Sequence, residues 1–449
     1  MVIDELPECL IHKILSNLSF EEAANSSMLS KTWLQAWFTC PNLKFKVEYS
    51  KGNNNRKIVD KIMERYRDRK IPIEKFALSI SASNYHRPLV IPWIDKWLGI
   101  ALQNGVKDMV SEVSVPSYPF PVSTFLASKS LRELDLTGCD LSLSASQVAK
   151  CHSLRKLSLT NVRLDDNLLQ TMLTCCPLIV DFIIVRCPLL TKIELRNLQN
   201  IKSVSISISY SHQIECVKIQ APTLEHLSYC GWGESTVLDI IECQNLRSLK
   251  LSHMKISEGF LQHLISTFQF LESLILVRFS GELGKFNICG SQSLKILRIC
   301  SSGDIGEIDA SNLVSFEYMG TEIPELKIAK ESGQLKNSKT YIYCSNDLNA
   351  AWFCEFRKFL SNLTSWSQVS LYFKKCNEIN MEDLQVHHSI TTPQVDVLNV
   401  STSEDKRSSE EWPSFVDALL WSCHPRRLNL CSTSEFFSSW KKTLTESIE

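Results

Sequence analysis

Cysteine and histidine are the first residues to test for chemistry, because the chain's seventeen thiols and ten imidazoles could hold a metal, move electrons or carry an acyl group. Zinc needs ligands at short fixed spacing. No Cys-x-x-Cys pair occurs, and the histidines do not fall at ligand spacing beside the cysteines. Neighbouring residues of an extended strand point to opposite sides, so His387-His388 reads as surface rather than as a metal pair. Gly231-Trp232-Gly233 lacks the rest of a phosphate-cradling loop. No Gly-x-Ser-x-Gly elbow, His-Glu-x-x-His helix or Gly-x-Gly-x-x-Gly turn is present. The expectation is therefore no catalytic set, no metal and no cofactor.

The formal net charge of -1 names no polyanionic partner. One segment departs from it: residues 51–75 hold nine Lys/Arg against four Asp/Glu. The run through Arg56, Lys57, Lys61, Arg65, Arg67, Arg69 and Lys70 predicts an amphipathic helix with Ile58, Ile62 and Met63 inward and the cations in solvent. Neither nucleic acid nor membrane is expected as a partner, and no 18-residue apolar run is present. Asp4 and Glu5 stand where a secretory leader would be basic, so an intracellular site, nucleus and/or cytoplasm, with reduced thiols is expected.

The elements that would position these residues follow from a repeat. Leu131, Leu154, Ile179, Ile201, Leu224, Leu246, Leu271, Leu294 and Leu313 each begin an apolar phrase continued at +3 and +5, at spacings of 19 to 25 residues. This is the leucine-rich-repeat pattern. Positions +3 and +5 of an extended segment share a face, and the next repeat stacks its own strand about 4.8 Å away. At +8 a small polar or thiol residue should face the turn: Cys139 and Cys187 comply, whereas Val162, Trp232, Met254 and Phe279 do not. Cys151, Cys176 and Cys243 sit three residues before the first apolar position and read as buried small hydrophobes. Upstream, Ile73-x-x-Phe76-x-Leu78 fits the phrase and 106–115 fits it poorly. Downstream, strands at 341–343, 369–373, 395–397 and 428–430 recur at longer intervals, with amphipathic helices between them.

Residues 6–40 read as three short helices. Pro7 suits a first helical position, and Leu10, Ile11, Ile14, Leu15 and Leu18 form one wide apolar face. Ser19 with Glu22 makes a capping box for a second helix. Ser30 caps a third that carries Trp33, Leu34, Trp37 and Phe38 before Pro41 ends it. So short a leader is too small to bury that many large apolar groups alone. Either it docks on its own repeats, or another protein completes its core.

The ordered combination Leu6-Pro7, Ile11, Ile14-Leu15, Leu18, Leu29-Ser30-Lys31-x-Trp33 and Pro41-x-Leu43-x-Phe45 resembles an F-box over about residues 4 to 45. With 58–62, 72–76 and 93–98, the chain resembles the plant F-box leucine-rich-repeat group over nearly its full length. The resemblance implies a non-catalytic subunit of a cullin-RING ubiquitin ligase of SCF type. Its F-box would pack on a Skp-family adaptor, and through it on the cullin-RING, while the repeats hold the protein to be ubiquitinated. Carried over by position, Leu6 and Pro7 start the adaptor-facing helix and Ile11, Ile14 and Leu15 enter the adaptor groove. Leu29, Ser30 and Trp33 complete or support the patch.

The expected fold is α/β: a three-helix F-box (1–45), a basic helical connector (46–70), a leucine-rich-repeat solenoid (71–323) and longer irregular repeats closing it (324–449). The solenoid would be a parallel-strand horseshoe with helices and loops on the convex side. Residues interleaved with the spine face the concave side, running from acidic (Glu133, Asp135) through serine-rich (Ser203, Ser205, Ser207) to mildly basic. Lys156, Asp181, His226, Lys250, Ile275, Ile296 and Arg298 are the candidate target contacts, with Ile275, Ile296 and Arg298 as anchors. Such a mixed strip suits a protein target. The alternative is a stand-alone repeat scaffold, uncoupled from ubiquitination, whose leader caps the solenoid.

Overall fold

The computed structural model describes residues 6–18, 20–49, 55–115, 117–142, 150–209, 214–232, 237–255, 258–278, 286–288, 291–300, 305–308, 310, 312–321, 323, 327–328, 335–344, 348–363, 365–373, 379–385, 392–402 and 412–430. Ser19 of the expected capping box, Gly233, Phe279, His387 and His388 lie outside them. The chain divides into two compact units, Met1–Thr223 with Ser235–Glu242, and Leu224–Glu234 with Cys243–Glu449.

The first unit opens with three helices, α1 (Glu8–Ser16), α2 (Phe20–Ser26) and α3 (Lys31–Thr39). Pro7 stands one residue before α1, as its cap, rather than inside it. Ser30 caps α3 as expected, its Oγ accepting the Trp33 N–H at 3.3 Å. Next come β1 (Asn42–Glu48), α4 (Asn55–Arg69), β2 (Lys75–Ser81), α5 (Arg87–Gln103) and β3 (Asp108–Ser114). β1 pairs in parallel with β2, and β2 with β3. The ladder continues through Glu133–Thr137, Lys156–Thr160, Asp181–Val185 and Ser203–Ser207. Each of these four strands begins two residues after the first apolar residue of its phrase. The +3 and +5 residues consequently align across the ladder, Leu134 with Leu157, Phe182 and Val204, and Leu136 with Leu159, Ile184 and Ile206. All eight are at most 2% exposed, and each such burial stabilises by about 2 kcal/mol.

The poor fit at 106–115 has a physical counterpart. Ser111 of β3 takes the spine position beside Leu78, and its fully buried hydroxyl has no hydrogen-bond partner among the described residues. Between strands, where helices and loops were expected, Lys192–Leu195, Cys216–Ile219 and Val237–Asp239 form a small parallel sheet. Their alternating apolar residues favour a strand: Ile193, Leu195, Val217 and Ile219 are buried and the intervening residues are not.

In the second unit the parallel ladder runs through His226–Cys230, Ser248–Ser252, Ser273–Val277, Ile296–Cys300, Ser315–Gly320, Asn337–Cys344, Ser365–Phe373, Gln394–Thr402 and His424–Leu430. The last four are longer than the expected cores, because polar residues such as Asn337, Gln368 and Asn399 extend the backbone ladder beyond the apolar positions. Helices Ala350–Leu360 and Trp412–Ser422 lie between them, burying Phe353, Phe356, Phe359 and Phe415.

Strand ends share one device, at +7 of the phrase. Gly138, Asn161, Arg186, His253 and Arg278 adopt positive φ, from 46° to 76°. Each donates its N–H to the carbonyl that ends the following strand, for example Gly138 to Thr160 at 2.9 Å and His253 to Val277 at 2.9 Å. At Gly138 a Cβ would stand 2.7 Å from the Val113 carbonyl oxygen, so glycine is required. The +8 thiols turn inward as expected: Cys139 is 1% and Cys187 7% exposed, and the latter donates to the Leu159 carbonyl at 3.6 Å.

Candidate partner-binding surfaces

The three-helix leader has a core of its own. Ile11, Leu15, Ala23, Trp33, Ala36 and Cys40 are buried together, with Leu6, Leu18 and Trp37 partly buried against them. Polar contacts lock the helix ends: Thr39 Oγ1 donates to Glu8 Oε1 at 2.7 Å and lies 3.1 Å from His12 Nε2. The Tyr66 hydroxyl of α4 donates to the Cys40 carbonyl at 2.7 Å, and the Arg65 guanidinium stacks 3.9 Å from the Phe38 ring. Burial pushes the Tyr66 phenol well above its usual range and keeps it neutral.

Outside this core several large apolar side chains stay exposed among polar ones. Leu10 (46% exposed), Ile14 (40%), Met28 (79%), Leu29 (60%) and Leu34 (37%) all face solvent. Pro7, Leu10 and Ile14 fall at i, i+3 and i+7 and therefore share one stripe of α1. Of the seventeen exposed large hydrophobics among the described residues, these five lie within 10–34, a concentration of apolar surface in the three-helix leader.

The strand ladders present a different surface. In the first unit, Lys75, Asp108, Glu133, Lys156 and Asp181 are neighbours across successive strands, a row of mixed charge. Asp135, in the next row, accepts a hydrogen bond from Ser158 at 3.1 Å, yet burial holds its carboxyl above the usual carboxylate range. In the second unit, Lys250, Ile275, Arg298, Glu317 and Lys339 form a row. Arg298 is committed within it, its Nε 3.0 Å from Glu317 Oε2. Among the described residues no group of three or more His, Cys, Asp or Glu could hold a metal, and no helix is long and apolar enough to cross a membrane.

A family model described as "F-box domain" matches residues 3–45, and one described as "At1g61320/AtMIF1, LRR domain" matches residues 63–240. The chain therefore carries an F-box followed by a leucine-rich-repeat domain. Relatives in Arabidopsis thaliana carry F-box or F-box/LRR-repeat names. "F-box protein At5g03100" is 28% identical over 239 residues, 53% of this chain and 73% of the relative. "F-box/FBD/LRR-repeat protein At1g13570" is 29% identical over 183 residues, 39% and 42% of the two chains. "F-box/LRR-repeat protein At3g03360" is 24% identical over 230 residues, 50% and 46%. The matched part thus spans less than half the length of the latter two.

Within the F-box, the expected contact residues separate. Ile14 and Leu29 are exposed and Pro7 caps the exposed stripe, whereas Ile11 (0%), Leu15 (3%) and Trp33 (5%) are enclosed by their own chain. The expectation that Ile11 and Leu15 enter a partner's groove is corrected on that ground: a side chain covered on all sides cannot contact a partner without opening the domain. Leu6 is half-buried against the core, and Ser30 acts on the backbone of α3. Leu10, Met28 and Leu34, outside the expected contact set, are exposed as well. The wide apolar face of α1 carried the signal, since Leu10 and Ile14 lie on its flank opposite Ile11 and Leu15.

The repeat-face residues separate too. His226 is exposed and Ile296 is 44% exposed; Lys156 and Asp181 are half-buried, and Lys250 is only 8% exposed. Ile275 packs against a small buried cluster of Val277, Cys300, Met319 and Tyr341. That cluster lies at the ends of the strands, on residues the alternating pattern would have turned outward. On α4, Ile58 is 45% exposed, a further correction: the inward stripe is Val59, Ile62, Met63 and Tyr66 at i, i+3, i+4 and i+7. Several of its cations are engaged locally, Arg56 with Asp60 at 3.5 Å and Arg67 with Asp68 at 2.9 Å.

Proposed function

We propose that this chain is the substrate-recognition subunit of an SCF-type cullin-RING ubiquitin ligase, non-catalytic in itself. Its F-box binds a Skp-family adaptor, and its repeat strands bind the protein to be ubiquitinated. One observation carries the first half: five large apolar side chains stand exposed on a small domain whose own core is complete. A surface of that kind is stabilised by a partner with an apolar groove, and Pro7, Leu10, Ile14, Met28, Leu29 and Leu34 are its contacts. Leu6, Ile11, Leu15, Ser30 and Trp33 hold the surface in place from behind. The division into F-box, helical connector, regular solenoid and irregular closing repeats belongs to the same proposal.

The second half rests on the mixed polar strand faces, each within its own unit. Lys156 and Asp181 in the first, and His226 and Ile296 in the second, are the accessible members. Ile296, flanked in register by Ser273 and Ser315, is the best placed anchor. Arg298, Ile275 and Lys250 shape the surface around it. The chain contributes proximity and orientation, and its partners supply the transfer chemistry.

Co-expression with a Skp-family adaptor tests the reading. A stoichiometric complex on size exclusion, lost when Ile14 and Leu29 are both changed to Glu, is the expected result. A monomer indifferent to the adaptor would overturn it and leave a stand-alone binding scaffold. Proximity labelling with and without cullin inhibition then identifies proteins whose recovery depends on Ile296.

A further inference from the structure

A cavity of about 580 Å³ in the first unit lies between the F-box and the first strands of the ladder. One wall is apolar and belongs to the F-box: Leu18, Ala23 and Trp37, of which Leu18 and Trp37 are only partly covered by the domain's own core. The floor is made of small side chains on β2 and β3, Ala77 and Ser79 with Val110, and Ala77 and Val110 are direct neighbours across the sheet. Ala77, Ser79 and Val110 leave room there, bordered by Lys75 and Glu112 on the same two strands. A volume of this size with a mainly apolar lining matches small-molecule sites, which run from about 300 to 1,000 Å³.

The rim adds charge of one predominant sign. Lys44 and Lys46 of β1 and Lys75 of β2 border the cavity, against a single carboxylate, Glu112. Lys46 is engaged with Glu48 at 3.3 Å. Lys44 and Lys75 are both exposed, and among the described residues neither has a carboxylate within ion-pair distance. Lys44 pairs in register with Ala77, two residues beyond Lys75, so the two lysines are diagonal neighbours with Cα atoms about 7 to 8 Å apart. Two flexible ammonium groups at that separation can converge on one anionic head from opposite sides.

We propose that this cavity binds a small amphiphilic anion, whose aromatic or aliphatic body fills the space between Trp37 and the Ala77–Val110 floor while its single carboxylate, sulfonate or phosphate is held by Lys44 and Lys75. An extended acidic peptide is the poorer fit, because most of the lining is apolar and the carboxylate of Glu112 stands on the rim. The site is independent of the adaptor reading, since it lies on β1–β3 and the inner side of the F-box helices, away from the exposed α1 stripe.

Two dyes with the same apolar body test it on the full-length protein: 8-anilinonaphthalene-1-sulfonate and its uncharged counterpart N-phenyl-1-naphthylamine. The α1 stripe can also attract such dyes, so the readout is the component of fluorescence that Ala77→Phe removes by filling the floor, with folding checked by circular dichroism. That component should saturate at one dye per chain. Lys44→Glu with Lys75→Glu, both on the surface, should weaken the sulfonate about tenfold or more and leave the uncharged dye unchanged. Equal affinity for the two dyes, or sulfonate binding unaffected by the lysine changes or by Ala77→Phe, overturns the proposal. Displacement of the sulfonate dye by an octaglutamate peptide but not by naphthalene-1-sulfonate overturns it in favour of an acidic protein segment.

Discussion

The F-box and the strand ladders handle apolar residues in opposite ways. In the ladder of the second unit, Leu227, Leu249, Leu274, Leu297 and Phe316 line up across successive strands and are at most 2% exposed, while the intervening positions are mainly serine and charged residues, with His226, Ile275 and Ile296 among them. In the F-box, α1 buries Ile11 and Leu15 and leaves Leu10 and Ile14 in solvent, although all four are aliphatic. Stacked repeats bury their apolar faces against neighbours in the same chain. A three-helix domain has too little interior to do so. On the proposed function, the apolar face of the F-box serves the adaptor, and the mixed ladder face, with Ile296 among its polar residues, serves the target.

The largest effect expected from breaking that contrast is Leu15→Ala. It should destabilise the F-box by about 3 kcal/mol through the cavity it leaves, as measured by denaturant melts. Arg298→Ala comes next. Glu317 is only 8% exposed, and removing its guanidinium partner leaves a carboxylate with too little solvent, at a cost of about 1 to 3 kcal/mol. Ile296→Ala should leave the melt unchanged, so a loss of target binding there reports contact rather than folding. The smallest effect is a pH dependence at Asp135. Its carboxyl is raised in the folded chain, so the native state binds the proton more tightly than the unfolded one. Stability is accordingly greater at acid pH and falls as pH rises from about 3.8 through the folded pKa. Asp135→Asn should raise the melting temperature at pH 7, and the gain should vanish as the pH is lowered past the ordinary carboxylate range. A gain that persists there would show that charge burial is not its cause.

Much of the ladder was legible in the sequence because strand alternation is a two-residue code: all nine phrases become strands that begin at +2. Ser30 as a cap and the inward Cys139 and Cys187 followed from equally local rules. Three features did not. The short parallel sheet of Lys192–Leu195, Cys216–Ile219 and Val237–Asp239 stands where helices and loops were expected, because such short runs carry too few positions to declare their period. The outward cluster of Val277, Cys300, Met319 and Tyr341 depends on what covers the strand ends, which no single repeat encodes. In α1, five aliphatic residues identify a face but not which flank the rest of the domain will cover. The separation of Ile14 from Ile11 is a tertiary fact. The cavity beside Trp37 is another, since it depends on Ala77 and Val110 meeting an F-box wall from residues tens of positions away.

The central claim is that the exposed apolar face of the F-box is what the adaptor covers. Titration calorimetry of a Skp-family adaptor into the full-length chain, repeated at several temperatures, addresses it directly through the heat capacity of binding. Burial of Leu10, Ile14 and Leu29 predicts a clearly negative heat-capacity change. Changing all three to Ser should shrink that change and weaken binding about a hundredfold, with the melting temperature held. Full affinity and an undiminished heat-capacity change in the triple variant would contradict the account.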